Sequence, residues 1–354
     1  MFRLVADSNW RRNRLLILCY HGISRLDEHL WRPSLYMRPE IFQERLEILQ
    51  RGRYNVLPLG DALQRLQAGE LPPRSIVITF DDGGYDFHAA AFPVIRRFGV
   101  PVTVYQTTYY GDRPLPIFNL AFSYLLWQRR GSMLTGGSAL GLNDVLDLRT
   151  ENSRAEVVRS LVLLAEESRL SGGEKNEIAA SLARLLSLSY EDLVASRRFQ
   201  IMTPAERSEL AGQGIDFQLH THRHRTPLDE ELFRKEIRDN RRALRELSTN
   251  AVHFCYPSGV YRPEFLPWLR KENVFSATTC DAGLATRQDD LLLLPRLVDS
   301  PARSPLEFEA WLSGVALWTS LRKPASGKPP IAAGMVSQAN DSSRSVLAKG
   351  CQED

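Results

Sequence analysis

Three observations predict an α/β fold with largely parallel strands. Short apolar runs such as 15–20 (LLILCY) and 75–80 (SIVITF) read as buried strands closed by turns. Segments with apolar residues at helical spacing separate them, the alternation that parallel sheets require. That rhythm stops near residue 112 and resumes near 214, with helical periodicity alone between, as expected of an insertion placed between barrel elements.

Taken in order, 15–20 is a strand ending at His21-Gly22, and 39–50 (PEIFQERLEILQ) is an amphipathic helix opened by Pro39, with Ile41, Phe42, Leu46 and Leu49 on one face. A strand is expected over Tyr54 to Leu57, a short helix over 60–67, and a strand over 75–80 stopped by Asp81-Asp82-Gly83-Gly84. A helix over 86–98 and a strand from Val100 to Gln106 follow. From 112 to 200, Val157, Val158, Leu161 and Leu164, then Ile178, Leu182, Leu185 and Leu186, repeat at helical spacing with few strand signals. Strands at Gly214 to Leu219, 251–256, 274–279 and 292–298, with helices at 229–247 and 263–272, complete the α/β part. The expected organisation is therefore 1–111 and 201–322 as two parts of one barrel, 112–200 as a helical insertion, and 323–354, with PASGKPP and SQANDSSRS, as a disordered tail.

A 354-residue chain with 43% hydrophobic and 25% charged residues has the make-up of a folded globular enzyme. Its 45 basic and 42 acidic residues nearly cancel, which gives no global electrostatic case for nucleic acid, and Arg11, Arg12 and Arg14 read as a solvated face. Cys19, Cys255, Cys280 and Cys351 lack a CxxC or regular spacing; neither a disulfide framework nor a cysteine metal site is expected, and three of them read as small hydrophobes in strands. The short apolar run at Leu15 to Cys19 lacks the pattern of a signal peptide, and no stretch reaches the roughly 20 apolar residues of a spanning helix. A cytoplasmic enzyme, loosely membrane-associated at most, is the expectation.

The chemistry-bearing residues fall where strands end, which is where α/β barrels and open α/β sheets place their sites. Asp81 and Asp82 follow the strand SIVITF, and successive side chains diverge, so one carboxylate can hold a metal while the other faces a substrate. An ordinary Asp-Gly turn is the competing reading. His220, His222 and His224 bring three of the seven histidines into five residues after the strand GIDFQL. The four-residue separation of His220 and His224 suits two ligands on one helical turn; a strand-like path would put His222 on the same side as a third. Two imidazoles and Asp82 leave positions on a divalent ion open for water and substrate.

TFDDG at 79–83 with HTxxH at 220–224 resembles the first two motifs of the polysaccharide deacetylases, also called NodB-homology or carbohydrate esterase family 4 enzymes. The likeness extends through YHGIS (20–24), NVLPL, FPVIRRFGVPVTVY, CYPSG (255–259) and LPR (294–296), across roughly 20–110 and 200–300. Either motif alone is weak; the pair is highly specific. The resemblance implies a distorted (β/α) barrel of about seven strands, a divalent metal that is commonly zinc, and removal of acetyl groups from an N-acetylated carbohydrate. It carries the metal to Asp82, His220 and His224 and the role of general base to Asp81. Backbone donors near Tyr256, Ser258 and Gly259 would face the tetrahedral oxyanion.

The sequence departs from the best-known branch of that family. Its third motif, Arg-x-Pro-Tyr, has Cys255 here at the arginine position and Ser258 at the tyrosine position, so Arg296 of LPR becomes the candidate partner that orients the base; a surface ion pair is its other reading. The Leu-x-x-His that supplies the general acid is not visible, and no histidine follows His253, so His21 takes that role by default, against a plain strand-end histidine. His29, His88 and His253 read as structural or exposed, the charged residues of 231–247 as a solvated face, and Trp31, Trp127, Tyr109 and Tyr110 as core rather than sugar-stacking residues. A different C–N or ester bond, or a non-catalytic glycan-binding relative, are the readings that compete with deacetylation.

Overall fold

The computed structural model describes residues 2–113, 115–247 and 250–320; the tail expected over 323–354 lies outside them. Eight strands form the central sheet: β1 (Leu16–Tyr20), β2 (Asn55–Val56), β3 (Ser75–Phe80), β4 (Thr103–Gln106), β5 (Asp216–Leu219), β6 (His253–Cys255), β7 (Ser276–Thr278) and β8 (Leu297–Val298). Their order is β7-β6-β5-β4-β3-β1-β8, with the two-residue β2 set against the start of β3, and every pairing is parallel. This curled seven-strand path with helices around it is the distorted (β/α) barrel expected. The stretch 294–298 draws its two edges together: Leu294 bridges in parallel to Thr278, while Leu297 and Val298 register with Leu18 and Cys19.

Strands β1 and β3 are buried at every residue, as strands covered on both faces must be. Their even positions, Leu16, Leu18 and Tyr20 with Ile76, Ile78 and Phe80, pack in one cluster with Phe42, Leu46 and Leu49 of helix Pro39–Arg51. The odd positions Ile17 and Val77 instead meet Tyr105, Cys255 and Leu294 from across the sheet, together with Leu59, Ala62, Leu63 and Leu66 of helix Leu59–Ala68. Odd positions therefore face the barrel interior. With a side-chain period of two, Cys19 and His21 continue that face beyond Ile17, and Thr79 and Asp81 continue it beyond Val77. The register of Cys19 with Thr79 sets these two rows side by side.

The helices Phe118–Gln128, Glu151–Glu167, Gly172–Leu185 and Tyr190–Ala195 surround a second apolar cluster, which also takes in Trp31 and Tyr36. An antiparallel hairpin, Met133–Thr135 with Val145–Asp147, was not legible among them because three-residue strands are too short for a period-two signal. The segment meets the barrel through Asp27, which accepts from Tyr124 Oη at 2.9 Å and pairs with Arg198 at 3.3 Å.

Other departures from expectation are local. Short helices Phe2–Ala6 and Asn9–Arg12 precede β1, and Arg11, expected on a solvated face, is fully buried, its guanidinium donating to the carbonyls of Leu312 (3.0 Å) and Ser75 (3.2 Å). The helix expected over 86–98 is a π turn, Phe87–Ala91, followed by the α-helix Phe92–Phe98, with Pro93, which has no N–H to donate, at the junction. His253 lies buried at the start of β6, its Nδ1 2.8 Å from Ser276 Oγ. Burial lowers its pKa from the ordinary 6.5, with Asp216 opposing. The stability this neutral ring contributes is present above pH 6.5 and is lost as pH falls through the lowered folded value. Thermal melts of wild type are expected to weaken on acidification below pH 6.5, and those of His253→Gln to weaken less.

Candidate metal centre

The turn after β3 and the loop after β5 meet at the C-terminal mouth of the barrel. Asp82 Oδ1 lies 3.3 Å from His220 Nε2 and 3.2 Å from His224 Nε2. These are the N···O edges, roughly 3.3 Å, of a tetrahedron with bonds of about 2.0–2.1 Å to one ion. Nδ1 of His220 is 2.9 Å from the Cys255 carbonyl oxygen, to which it donates, and this bond turns Nε2 toward Asp82. One carboxylate oxygen and two imidazole nitrogens on a half-open rim thus fit a divalent cation. Burial pushes the Asp82 carboxyl up, yet the charge of His224 and hydrogen bonds from both imidazoles hold it well below the usual range.

The path of the loop differs from both expectations. Residues 220–225 are neither a helical turn nor a strand: Thr221 and His224 adopt left-handed backbone (φ 59° and 55°), and these two reversals bring rings four residues apart to one point. Asp82 is left-handed as well (φ 70°), followed by Gly83 (φ 72°), where a Cβ would come within 2.1 Å of Gln106 Oε1. Such a backbone persists only where surroundings over-determine it. Here the Asp82 carbonyl accepts from Thr107 N (3.2 Å) and Thr107 Oγ1 (3.1 Å), and Met202 N donates to the Gly83 carbonyl (3.0 Å).

Asp81 points into the barrel, and Arg296 meets it from the strand-closing stretch. The pair is bidentate, Nη1 to Oδ1 and Nη2 to Oδ2 both at 2.8 Å, with the arginine fully buried rather than in a surface ion pair. Arg296 Nε donates to the Thr279 carbonyl at 2.8 Å and Nη1 to Thr79 Oγ1 at 3.3 Å. Burial raises the Asp81 carboxyl, but the charge and hydrogen bonds of Arg296 outweigh it and leave the group far below the ordinary range. His21 Nε2 stands 3.8 Å from Asp81 Oδ2 on the open side. The cysteines expected to act as plain hydrophobes instead border this pair: Cys255 Sγ is 3.3 Å and Cys19 Sγ 3.5 Å from Asp81 Oδ2, and Cys280 Sγ is 3.8 Å from Arg296 Nη2. Burial raises both Cys19 and Cys255 well above the usual thiol range.

Two bracing residues escaped the sequence reading. Helix Glu230–Leu244 carries Glu236 and Asn240 one turn apart on its buried face, against the expectation that its charged residues form a solvated face. Glu236 accepts from Arg223 N (2.8 Å), Arg223 Nη1 (3.1 Å) and Arg225 Nε (2.8 Å), and so grips both sides of His224. Asn240 accepts from His220 N (2.9 Å) and donates to the Gln106 carbonyl (2.9 Å) and Thr108 Oγ1 (3.0 Å). The helical face of Phe233, Ile237 and Leu244 implies the buried side, on which position 240 also falls. We expect Glu236→Ala to weaken metal binding by about 10–100-fold while Glu236→Gln retains part of it, as read by competition against a chromophoric chelator.

The other expected site residues are distributed as follows. His222 does not join Asp82, His220 and His224; its Nδ1 is 2.8 Å from Thr108 Oγ1 and its ring packs edge-on to Tyr109. In the loop after β6, the Tyr256 N–H is given to the Thr278 carbonyl, the Gly259 N–H to the Tyr256 carbonyl, and Pro257 has none, which leaves Ser258 (φ 56°) to offer a backbone donor. The Tyr256 hydroxyl donates to the Leu292 carbonyl at 3.0 Å. Trp31 and Trp127 belong to the second apolar cluster, while Tyr109 lies between Arg113 and Arg223 next to the ligand loop. His29 bonds Ser24, and His88 pairs with Glu209.

A curled parallel barrel whose mouth joins an Asp-Asp turn to a His-x-x-x-His loop is the arrangement that the resemblance to the polysaccharide deacetylases implies. Comparison with known proteins agrees. Over 99 residues the chain is 25% identical to the poly-beta-1,6-N-acetyl-D-glucosamine N-deacetylase of Escherichia coli strain K12, a match that covers 28% of this chain and 14% of that one. The chain therefore spans a small part of that relative's length. Its fold superposes on the Streptococcus pyogenes deacetylase PplD, solved in complex with acetate, with a TM-score of 0.55 and 19% identity over 84% of this chain and 98% of that one. It superposes likewise on a de-N-acetylase from Aggregatibacter actinomycetemcomitans, with a TM-score of 0.54 and 10% identity over 84% and 99%. No family model matches the chain. Fold, paired motifs and these likenesses together support a relationship to the NodB-like polysaccharide deacetylases.

Proposed function

We propose that the protein removes acetyl groups from an N-acetylated carbohydrate, with Asp82, His220 and His224 holding a divalent ion, zinc by the character of its donors. The observation that carries this reading is the convergence of Asp82, His220 and His224 beside a second carboxylate, Asp81, that is clamped by Arg296. When bound, the ion would polarise the acetyl carbonyl and ease ionisation of water. Asp81 takes up the proton of the attacking water; its clamp fixes the carboxylate and keeps it ionised at neutral pH. His21, beside it on the half-open side, gives a proton to the departing amine. The Ser258 N–H offers a donor to the developing oxyanion. Acceptance of a glycan rather than a peptide rests on the named activities of the relatives. Among the described residues no helix is long and apolar enough to cross a membrane.

Incubating the zinc-loaded protein with N-acetylglucosamine oligomers and with lipid-linked or nucleotide-linked N-acetylhexosamines should release acetate from at least one of them. No acetate from any, with metal bound as measured by atomic absorption, would refute the reading. Paired amide and ester analogues of the substrate that works separate N-deacetylation from O-deacetylation.

A further inference from the structure

Three thiols near the site have no part in that reaction, and one of them completes a second set of ligands. Cys19 Sγ, a ring nitrogen of His21 and an Asp81 carboxylate oxygen lie within 4.8 Å of one another, brought together by the inner faces of paired strands β1 and β3. Bonds of about 2.3 Å to sulfur and about 2.0 Å to oxygen or nitrogen put tetrahedral edges at roughly 3.5 Å for S···O and roughly 3.3 Å for N···O. The Cys19 to Asp81 distance is 3.5 Å and the His21 to Asp81 distance 3.8 Å. The first edge is already formed; the second closes with a shift of about half an ångström by the His21 ring, which is 20% exposed at the mouth. Arg296 occupies one lone-pair direction on each Asp81 oxygen, and on Oδ2 the thiols of Cys255 and Cys19 approach the other, where an ion would take the place of the Cys19 proton.

We propose that Cys19, His21 and Asp81 form a second cation site, selective for soft divalent ions such as cadmium, whose occupation silences Asp81. The selectivity follows from the donors: this set has a sulfur, whereas Asp82, His220 and His224 offer only oxygen and nitrogen. On binding, the S–H bond of Cys19 breaks, its proton passes to solvent and a sulfur–cadmium bond forms, with no change of oxidation state. The thiolate and the Asp81 carboxylate then face the two charges of the ion and the one of Arg296, which leaves a single net positive charge at the half-open mouth. The neighbouring set Asp81, His220 and Cys255 is the poorer host, because His220 Nε2 faces Asp82 and the Cys255 sulfur already accepts from Arg296 Nη2 at 3.0 Å. Binding is independent of the proposed reaction; only the silencing rests on Asp81 as its base.

The test is a cadmium chloride titration of the full chain carrying Cys351→Ala, followed by equilibrium dialysis and by the ultraviolet thiolate-to-cadmium charge-transfer band. Two cadmium ions per chain and a band with the amplitude of one thiolate are expected. Cys19→Ala, or Cys19→Ser should the alanine variant not fold, should lose the band and one ion, while His224→Ala should keep the band. Absence of the band, its survival in both Cys19 variants, or its loss in Cys255→Ala would each overturn the ligand set. In zinc-loaded protein cadmium should suppress acetate release in the parent but not in the Cys19 variant; a band without suppression overturns the silencing. The band is read without substrate, so a protein that never releases acetate leaves this test intact and fails the proposed function alone.

Discussion

Asp81→Asn is expected to lower kcat by about 10²–10⁴-fold, the contribution of a positioned general base, while the chain still binds one zinc ion at Asp82, His220 and His224. An amide in place of the carboxylate cannot take up a proton, yet the metal-binding atoms are untouched. The same change leaves Arg296 as a buried charge without its counter-ion, so a loss of roughly 3–5 kcal/mol of stability accompanies it, and activity must be read where circular dichroism shows the variant folded. Turnover equal to wild type would remove Asp81 from the reaction. Loss of zinc together with turnover would place Asp81 among the ligands instead.

Arg296→Met is expected to be comparably severe, by a different route. It removes both hydrogen bonds to Asp81 and leaves a carboxylate in a buried, thiol-lined pocket, again at a cost of about 3–5 kcal/mol. Without the guanidinium, burial becomes the dominant influence on Asp81 and its pKa rises. In wild type the carboxyl is depressed below 3.8, so the stability it contributes is complete above that pH and is lost as pH falls further. In the variant the acid limb of kcat/KM should therefore move to higher pH, a change that simple loosening of the fold would not produce. Arg296→Lys keeps the charge without the planar fork and should fall between.

The distance of Cys255 Sγ from Asp81 Oδ2, 3.3 Å, makes a sharper test available. The resemblance puts an arginine at position 255, and here position 255, on β6, and Arg296, in the stretch before β8, address the same carboxylate oxygen. The double variant Cys255→Arg with Arg296→Ala should recover part of the turnover lost in Arg296→Ala, because the guanidinium returns to the carboxylate from the other side. No recovery, with Asp81 still titrating at raised pH, would mean that the Nε bond of Arg296 to the Thr279 carbonyl matters as much as its charge.

The sequence by itself determined the alternation of strands and helices in the barrel and pointed to Asp81, Asp82, His220 and His224, which the structure brings together at the mouth. Short, largely apolar runs such as LLILCY and SIVITF, bounded by turn residues, read as strands covered on both faces, and the pairing of TFDDG with HTxxH is far more specific than an Asp-Gly turn. What the tertiary structure decided was how those residues converge. The loop that carries His220 and His224 closes through left-handed backbone at Thr221 and His224, and its bracing comes from Glu236 and Asn240 on a helix whose charged residues read as a solvated face. A one-dimensional pattern shows which face of a helix is apolar but not that a carboxylate on it will be buried by two arginines from another loop. The same holds for Arg296, which lies 215 residues from Asp81 along the chain. Its role depends on the stretch 294–298 bridging the two edges of the sheet, a long-range pairing that sets its guanidinium against Asp81 and that no local signal encodes.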